Sequence, residues 1–175
     1  VWDMYSSVTN YVFGTDQNTG SFKVEGDNYN REHSMPKSWF HDGYPMYTDL
    51  FHLYPTDSYI NGMRSNYAFG EVSSANYTYD GAKRGSAKSI TITGGNTIAG
   101  NNGTTISCSG TVFEPRDEYK GDFARGYMGS LLKWAGDKAF NTGDGSKIFT
   151  TTFSTGSFGL TKYGIALLMK WHRQD

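Results

Sequence analysis

Residues 30–40 of the chain read Asn30-Arg31-Glu32-His33-Ser34-Met35-Pro36-Lys37-Ser38-Trp39-Phe40. A carboxylate and an imidazole stand side by side here, with Arg31 before them and Lys37 after them. Adjacent residues of a strand point to opposite faces, so Glu32 and His33 can serve one site only if the chain leaves extended geometry at this point. Pro36 ends any regular strand and favours such a departure. The stretch therefore predicts a compact site with an acidic group (Glu32), a base (His33) and cations that could hold a phosphate (Arg31 and Lys37).

This set of side chains matches the needs of phosphodiester hydrolysis, in which a base activates water and positive charge stabilises the oxygens of phosphorus. His33 suits the base, because an unperturbed pKa of about 6.5 leaves much of the imidazole neutral near pH 7. Glu32 suits a hard divalent ion, since Mg²⁺ prefers oxygen ligands and takes only one or two of them from the protein. We interpret the stretch as half of a one-metal phosphodiesterase site.

The segment that follows predicts a strand and then a short helix. Residues 47–55 show imperfect alternation and are predicted to be a strand that ends at its proline. Thr56 or Asp57 is a good N-cap for a helix reaching Ser65, and Asn66 suits the left-handed position at its end. Together with the first stretch, the predicted order is strand, loop, strand and short helix.

Two polar side chains of this helix are the predicted second half of the site. Asn61 and Arg64 are three residues apart and share a helix face, so an amide oxygen for a metal and a guanidinium for a phosphate would present together. Gly62 costs roughly 1 kcal/mol inside a helix relative to alanine, which is easier to understand if a ligand approaches the backbone closely.

Length and composition limit the class of protein. A chain of 175 residues with 16% aromatics is expected to form one domain spanning residues 1–175. A net charge of −1 gives no global basic field for tight nonspecific nucleic-acid binding. Cys108 is the single cysteine, so no intrachain disulfide forms. No apolar run approaches the roughly 20 residues that span a bilayer, so we expect no membrane partner. We also expect a monomer, and a leader peptide that is already absent before Val1.

Other segments predict the framework around the site. Residues 11–13 and 21–24 are expected to be short strands or extended pieces. Residues 73–111, rich in Ser, Gly, Asn and Thr, are interpreted as a variable surface insertion, with a strand at 89–93 and a returning strand at 104–107. A last packing helix is predicted from Thr161 to about His172.

The main helix is predicted from Glu114 to about Ala135, with Pro115 at its first position. Its buried stripe recurs every four residues and consists of Tyr119, Phe123, Tyr127 and Leu131. Arg125 lies off that stripe, so it belongs either to a solvated face or to a basic wall beside the scissile phosphate.

Four blocks of the sequence, in this order, resemble the endonuclease I family of secreted or periplasmic bacterial nucleases within the His-Me finger (ββα-metal) group. The blocks are residues 30–40, Asp49-Leu50-Phe51-His52-Leu53-Tyr54-Pro55, Asn61-Gly62-Met63-Arg64-Ser65-Asn66 with Phe69-Gly70-Glu71-Val72, and Phe113-Glu114-Pro115-Arg116-Asp117-Glu118-Tyr119-Lys120-Gly121-Asp122-Phe123-Ala124-Arg125. The resemblance implies an α+β fold: a ββα-metal core with additional helices and a variable β-rich insertion.

The resemblance also implies an activity and its residues. His33 falls on the family's general base, and Glu32 and Asn61 fall on its two protein ligands for one Mg²⁺, Ca²⁺ or Mn²⁺ ion. The family cleaves DNA, and in many members RNA, with little sequence preference, and leaves a 5′-phosphate. The family's phosphate-clamping arginine has no evident match here, so Arg64 and Arg125 are taken as its substitutes.

Two departures from the family pattern leave an alternative open. Phe51-His52 stands where a His pair is common, and the family usually continues beyond the segment ending at Asp175, which implies a truncated C-terminus. If those losses matter, the chain is a weakened or inactive polynucleotide-binding or surface module of the same fold. A zinc hydrolase ranks third, because four scattered His and one Cys show none of the usual ligand spacings.

Overall fold

The computed structural model describes residues 1–7, 10–134, 140, 142–151 and 159–175. Within these ranges the chain is a mixed structure of three α-helices and small antiparallel sheets, which is compatible with the predicted α+β class. None of the helices described is long and apolar enough to cross a bilayer.

A two-stranded hairpin followed at once by a helix carries the predicted site. Strand β1 (Tyr29–His33) pairs antiparallel with β2 (Leu53–Asp57), and helix α1 (Ser58–Arg64) begins at the next residue. The Asp57 side chain caps the helix by accepting a hydrogen bond of 2.9 Å from the backbone N–H of Ile60. The short helix and its cap are therefore confirmed.

The prediction of a strand over residues 47–55 is wrong at its start and at its end. Two 3₁₀ turns (Met46–Thr48 and Leu50–His52) precede β2. The proline does not end the strand either, because β2 continues to Asp57. Proline is tolerated there since β2 has a partner on one side only. The residue with positive φ after α1 is Ser65, at 54°, and not Asn66.

The segment predicted as a surface insertion is built into the fold. Its long strand β3 (Val72–Tyr79) pairs with β4 (Ala82–Ala87), and β4 pairs with β7 (Thr111–Glu114). Between them, β5 (Ile90–Thr91) and β6 (Thr105–Ile106) form the predicted strand and its return. Several side chains of the segment are buried in the core, namely Ala82, Ile90, Ile92 and Ala99. The prediction that this segment varies among relatives stays a prediction.

The main helix begins later than predicted. Strand β7 occupies the chain up to Glu114, so Pro115 lies outside the helix, and a 3₁₀ turn (Asp117–Tyr119) leads into α2 (Lys120–Trp134). The predicted stripe is confirmed for Phe123, Tyr127 and Leu131, which are buried, whereas Tyr119 is half-buried. The predicted end near Ala135 lies outside the described residues.

The last helix, α3 (Lys162–Gln174), packs against α2 and agrees with the prediction, with Thr161 as its N-cap. The main core lies between these helices and the strands and is aromatic: the ring of Phe69 lies 5.0 Å from that of Phe123 and 5.2 Å from that of Tyr127. Residues 11–13 and 21–24 form no strand, and the Val12 carbonyl instead closes a turn.

Candidate active site

A cleft of about 240 Å³ lies where the end of β1 meets α1. Its walls contain four of the five predicted site residues, and Arg125 is absent from them. The lining residues are Arg31, Glu32, His33, Pro36, Lys37, Asn61, Arg64, Ser65 and Asn66. Glu32 and His33 both reach this cleft because β1 ends at His33 and the chain then turns into a 3₁₀ helix (Lys37–Phe40).

Glu32 is an almost fully buried carboxylate, 4% exposed. Its Oε1 accepts hydrogen bonds from the Tyr5 hydroxyl and from Nη1 of Arg64, each at 2.7 Å. Burial raises the pKa of Glu32 and outweighs the opposite effects of Arg64, Tyr5 and Asn61. A buried carboxylate of this kind is stable as an anion only with a cation and hydrogen-bond donors beside it.

Arg64 supplies that cation from beneath the cleft. Its guanidinium is 1% exposed and donates to Glu32, to the His33 carbonyl at 3.1 Å and to the Ser34 carbonyl at 2.5 Å. The side chain therefore holds the end of β1 rather than projecting with Asn61 toward solvent. A phosphate contact by Arg64 would require this ion pair to open.

The imidazole of His33 has one nitrogen fixed and one available. Nε2 lies 2.9 Å from the Tyr47 carbonyl, and because a carbonyl only accepts, Nε2 carries the proton in the neutral ring. Nδ1 then holds the lone pair, and it has no hydrogen-bond partner among the residues described. Burial lowers the pKa of His33, with the Tyr47 carbonyl acting in the opposite direction, which favours the neutral base near pH 7.

Asn61 lines the same cleft and contacts Glu32. Its amide Nδ2 donates to Oδ1 of Asn30 at 2.8 Å, and the same side chain hydrogen-bonds toward Glu32, which lowers the pKa of that carboxyl. In the described part of the chain, no group of three or more His, Cys, Asp or Glu residues is arranged to hold a metal. The carboxylate of Glu32 and the amide oxygen of Asn61 are neighbouring oxygens that an ion at this cleft could use.

A comparison with protein families decides the classification. The family model described as Endonuclease I matches residues 1–175, the whole chain. The chain belongs to the endonuclease I family. No curated protein and no solved structure matched it. As an endonuclease I family member the chain is a nuclease, and nucleic acid is its substrate class.

Arg125 is not brought to the cleft of this endonuclease I family chain. Its guanidinium lies on the exposed side of α2 and pairs with Asp122 at 2.6 Å and with Asp175. Of the two alternatives left open for Arg125, this position agrees with a solvated face, because its charge is paired with Asp122 on the same helix and with Asp175 at the end of the chain.

The departure at Phe51 lies away from the cleft. Phe51 is 57% exposed and packs against α2 under the Lys133 ammonium, 5.4 Å from the ring centre. His52 is the member of the pair that approaches the site: its ring is fully buried, 5.7 Å from that of His33, with Nε2 donating to the Met46 carbonyl. Phenylalanine at position 51 thus removes no group that lines the cleft.

His52 makes stability sensitive to acid. Burial lowers the pKa of His52 to about 4, and the positive His33 adds to this effect when it is protonated. The unfolded chain binds a proton near pH 6.5, so between pH 6.5 and 4 it holds more protons than the folded chain and stability falls as the pH falls. We expect this group to cost up to about 3 kcal/mol of unfolding free energy across that range.

Urea unfolding measured between pH 7.5 and 4 tests this expectation. In His52→Asn, whose amide can still donate toward the Met46 carbonyl, the acid-dependent loss should shrink relative to wild type. An equally steep loss in the variant would show that another group causes it. Exposed His172 offers a matched control, because His172→Asn should retain the full wild-type loss.

Two tyrosines make hydrogen bonds to site residues that the sequence did not predict. The Tyr5 hydroxyl reaches Glu32 from 27 positions away in the sequence, and Tyr47 supplies the carbonyl that orients His33. No local pattern marks either residue, since Tyr47 falls in a segment predicted as a strand and Tyr5 is distant from Glu32 in the sequence.

Proposed function

We propose that this chain is a divalent-metal-dependent endonuclease that hydrolyses phosphodiester bonds in DNA, and also in RNA, with little sequence preference, to products carrying a 5′-phosphate. The observation that supports it is the single cleft into which β1 and α1 bring Glu32, His33 and Asn61. A secreted or periplasmic location and a monomeric state belong to the same proposal, the location resting on the family.

The oxygen donors of the cleft fit a hard divalent ion. Glu32 and Asn61 would hold it, and Mg²⁺ needs only one or two protein ligands because it keeps most of its waters. Such an ion supplies positive charge for the non-bridging and leaving oxygens of the phosphate. Arg64 is the one cation paired with buried Glu32 in the described part of the chain, so a second positive charge beside this carboxylate would further stabilise its anionic form.

His33 is proposed as the base that takes a proton from the attacking water. The Tyr47 carbonyl holds the Nε2 proton, so Nδ1 is the atom that receives the new one. Arg64 is proposed as a positioning residue, since its contacts fix the Glu32 carboxylate and the backbone of β1.

Arg31 is proposed as the residue that binds the substrate phosphate. It is exposed, lines the cleft, and forms no ion pair with the described residues. Lys37 also lines the cleft and shares an exposed ion pair of 3.3 Å with Asp42, which is weak enough to yield to a phosphate.

Degradation of supercoiled plasmid and of a structured RNA tests the proposal. We expect cleavage with Mg²⁺, Mn²⁺ or Ca²⁺, none with EDTA, and recovery when the metal is restored. Products should accept a label from polynucleotide kinase only after phosphatase treatment, because their 5′ ends carry phosphate. Binding without cleavage under every metal condition would instead favour the polynucleotide-binding module.

Arg31→Ala should weaken substrate binding and leave chemistry largely intact. Because one phosphate would no longer be neutralised, we expect KM to rise severalfold and the slope of log affinity against log salt to become shallower by about 0.7 to 0.9. Arg125→Ala is the matched control, because its guanidinium already binds two carboxylates away from the cleft. Equal effects of the two substitutions would contradict the assignment of Arg31.

A further inference from the structure

We propose that Tyr44 and Tyr47 form a stacking surface for an unpaired base next to the scissile phosphate, so that the chain prefers single-stranded or locally unpaired nucleic acid to intact duplex. This inference rests on the proposed nuclease function and names its substrate class. It follows from the position, exposure and surroundings of the two rings.

The rings of Tyr47 and Tyr44 lie in a row that leads from the imidazole of His33 to the solvent-exposed surface. The ring of Tyr47 lies 5.0 Å from that of His33 at an interplanar angle of 42°, and the ring of Tyr44 lies 5.3 Å from that of Tyr47 at 45°. Tyr44 is 71% exposed. The three rings therefore form a continuous series that begins at the proposed base and ends on the open surface.

The backbone that carries the middle ring of this series is held in place. The Tyr47 carbonyl binds Nε2 of His33, and its backbone N–H donates to the Gly43 carbonyl at 3.0 Å. Neighbouring Met46 is 1% exposed and anchors the same 3₁₀ turn in the core. An aromatic ring on an anchored backbone offers a flat surface on which a base can stack.

The charges around the rings suit a polynucleotide strand. The ammonium of Lys37 lies 5.8 Å from the centre of the Tyr47 ring, and Arg31 lines the adjoining cleft. Asp42 is the opposing charge, and it is already paired with Lys37. A strand can therefore place its phosphates on the two cations while one base contacts the tyrosines.

Base pairing decides which nucleic acids can use this surface. In a duplex the bases stack on one another and their faces are covered, whereas unpaired bases can be splayed out onto aromatic side chains. A preference for unpaired strands follows from the exposed face of Tyr44. By contrast, the exposed ring of Tyr79 on β3 contacts the rings of Tyr59 and Tyr77 and not the series that begins at His33.

Binding measured without turnover tests the inference. Fluorescence anisotropy of a labelled oligo-dT strand and of a labelled hairpin duplex is recorded in EDTA, with gels to verify that both probes stay intact. We expect Tyr44→Ala to weaken single-strand binding about 5- to 150-fold and duplex binding less than twofold. Tyr44→Phe should bind as wild type does, and Tyr79→Ala is the matched control without effect.

A second variant separates stacking from folding. Tyr44→Leu keeps an apolar side chain but lacks a flat ring, so it should lose single-strand affinity while its thermal midpoint stays that of wild type. Single-strand binding within twofold of wild type in Tyr44→Ala, equal losses for strand and duplex, or no wild-type binding of the strand would overturn the inference. Binding in EDTA and plasmid cleavage with metal are separate measurements, so the two proposals can fail separately. A chain that cleaves plasmid but binds the single strand equally well without the Tyr44 ring would refute only the stacking surface. A chain whose single-strand binding depends on Tyr44 but that cleaves nothing would refute only the nuclease.

Discussion

Replacing His33 with alanine is expected to lower the rate of phosphodiester cleavage by about 10²- to 10⁴-fold, the usual contribution of a positioned general base. The water would lose its proton acceptor, while the Glu32–Arg64 pair and the Asn61 amide would remain in place. The measurement is the initial rate of plasmid cleavage at saturating Mg²⁺, with circular dichroism to verify folding.

His172→Ala is the matched control for this substitution, because His172 is exposed in the last turn of α3. It should cleave at the wild-type rate. A His33→Ala protein that retains more than about a tenth of wild-type activity would rule out His33 as the base, since general-base catalysis contributes at least about 100-fold.

The pH profile gives the same assignment an independent readout. His33 acts only when neutral, so kcat/KM should rise with pH through the folded pKa of His33 and then become constant. Burial lowers that pKa below its ordinary value of 6.5, so the midpoint of the rise should lie below pH 6.5. In His33→Ala the residual activity should lack this rise.

Replacing Arg64 with methionine is expected to destabilise the fold by about 3 to 5 kcal/mol, the usual effect of removing one partner of a buried ion pair. The Glu32 carboxylate would stay buried with no cation beside it among the described residues, and the Tyr5 hydroxyl, the Asn61 amide and the His33 backbone N–H would be its remaining donors. Two hydrogen bonds to the backbone of β1 and the residue after it would also disappear. Urea unfolding at pH 7 measures the change.

Two comparisons show whether the buried charge is the cause. Lys37→Met breaks an exposed ion pair and should change stability by less than about 1 kcal/mol. The double variant Glu32→Gln with Arg64→Met carries no buried charge and should regain part of the loss. A double variant as unstable as the two single changes added together would refute the ion-pair explanation.

The sign of the pH dependence is fixed by the same argument. The raised pKa of Glu32 should rise further without Arg64, so the folded variant binds a proton more readily than the unfolded chain. Its deficit relative to wild type should therefore shrink as the pH falls toward the folded pKa of Glu32. A deficit that grows on acidification would contradict this account.

Some elements of the site could be predicted because their signals are local. Asp57 caps α1 and Thr161 caps α3, and each cap needs only a side chain and the backbone three residues ahead. The buried stripe of α2 likewise follows from its spacing. Predictions failed where tertiary contacts override local pattern: residues 46–52 form two 3₁₀ turns instead of extending, so that Met46 and His52 are buried.

Chain order and helix periodicity are enough to make Glu32 and His33 neighbours and to put Asn61 and Arg64 on one capped helix. The directions of their side chains, in contrast, come from tertiary packing. The packing of α1 against β1 buries Arg64 on Glu32, and the fold of residues 43–52 places the Tyr47 carbonyl on His33. Orientation of this kind depends on how distant segments exclude water together, and no local pattern encodes it.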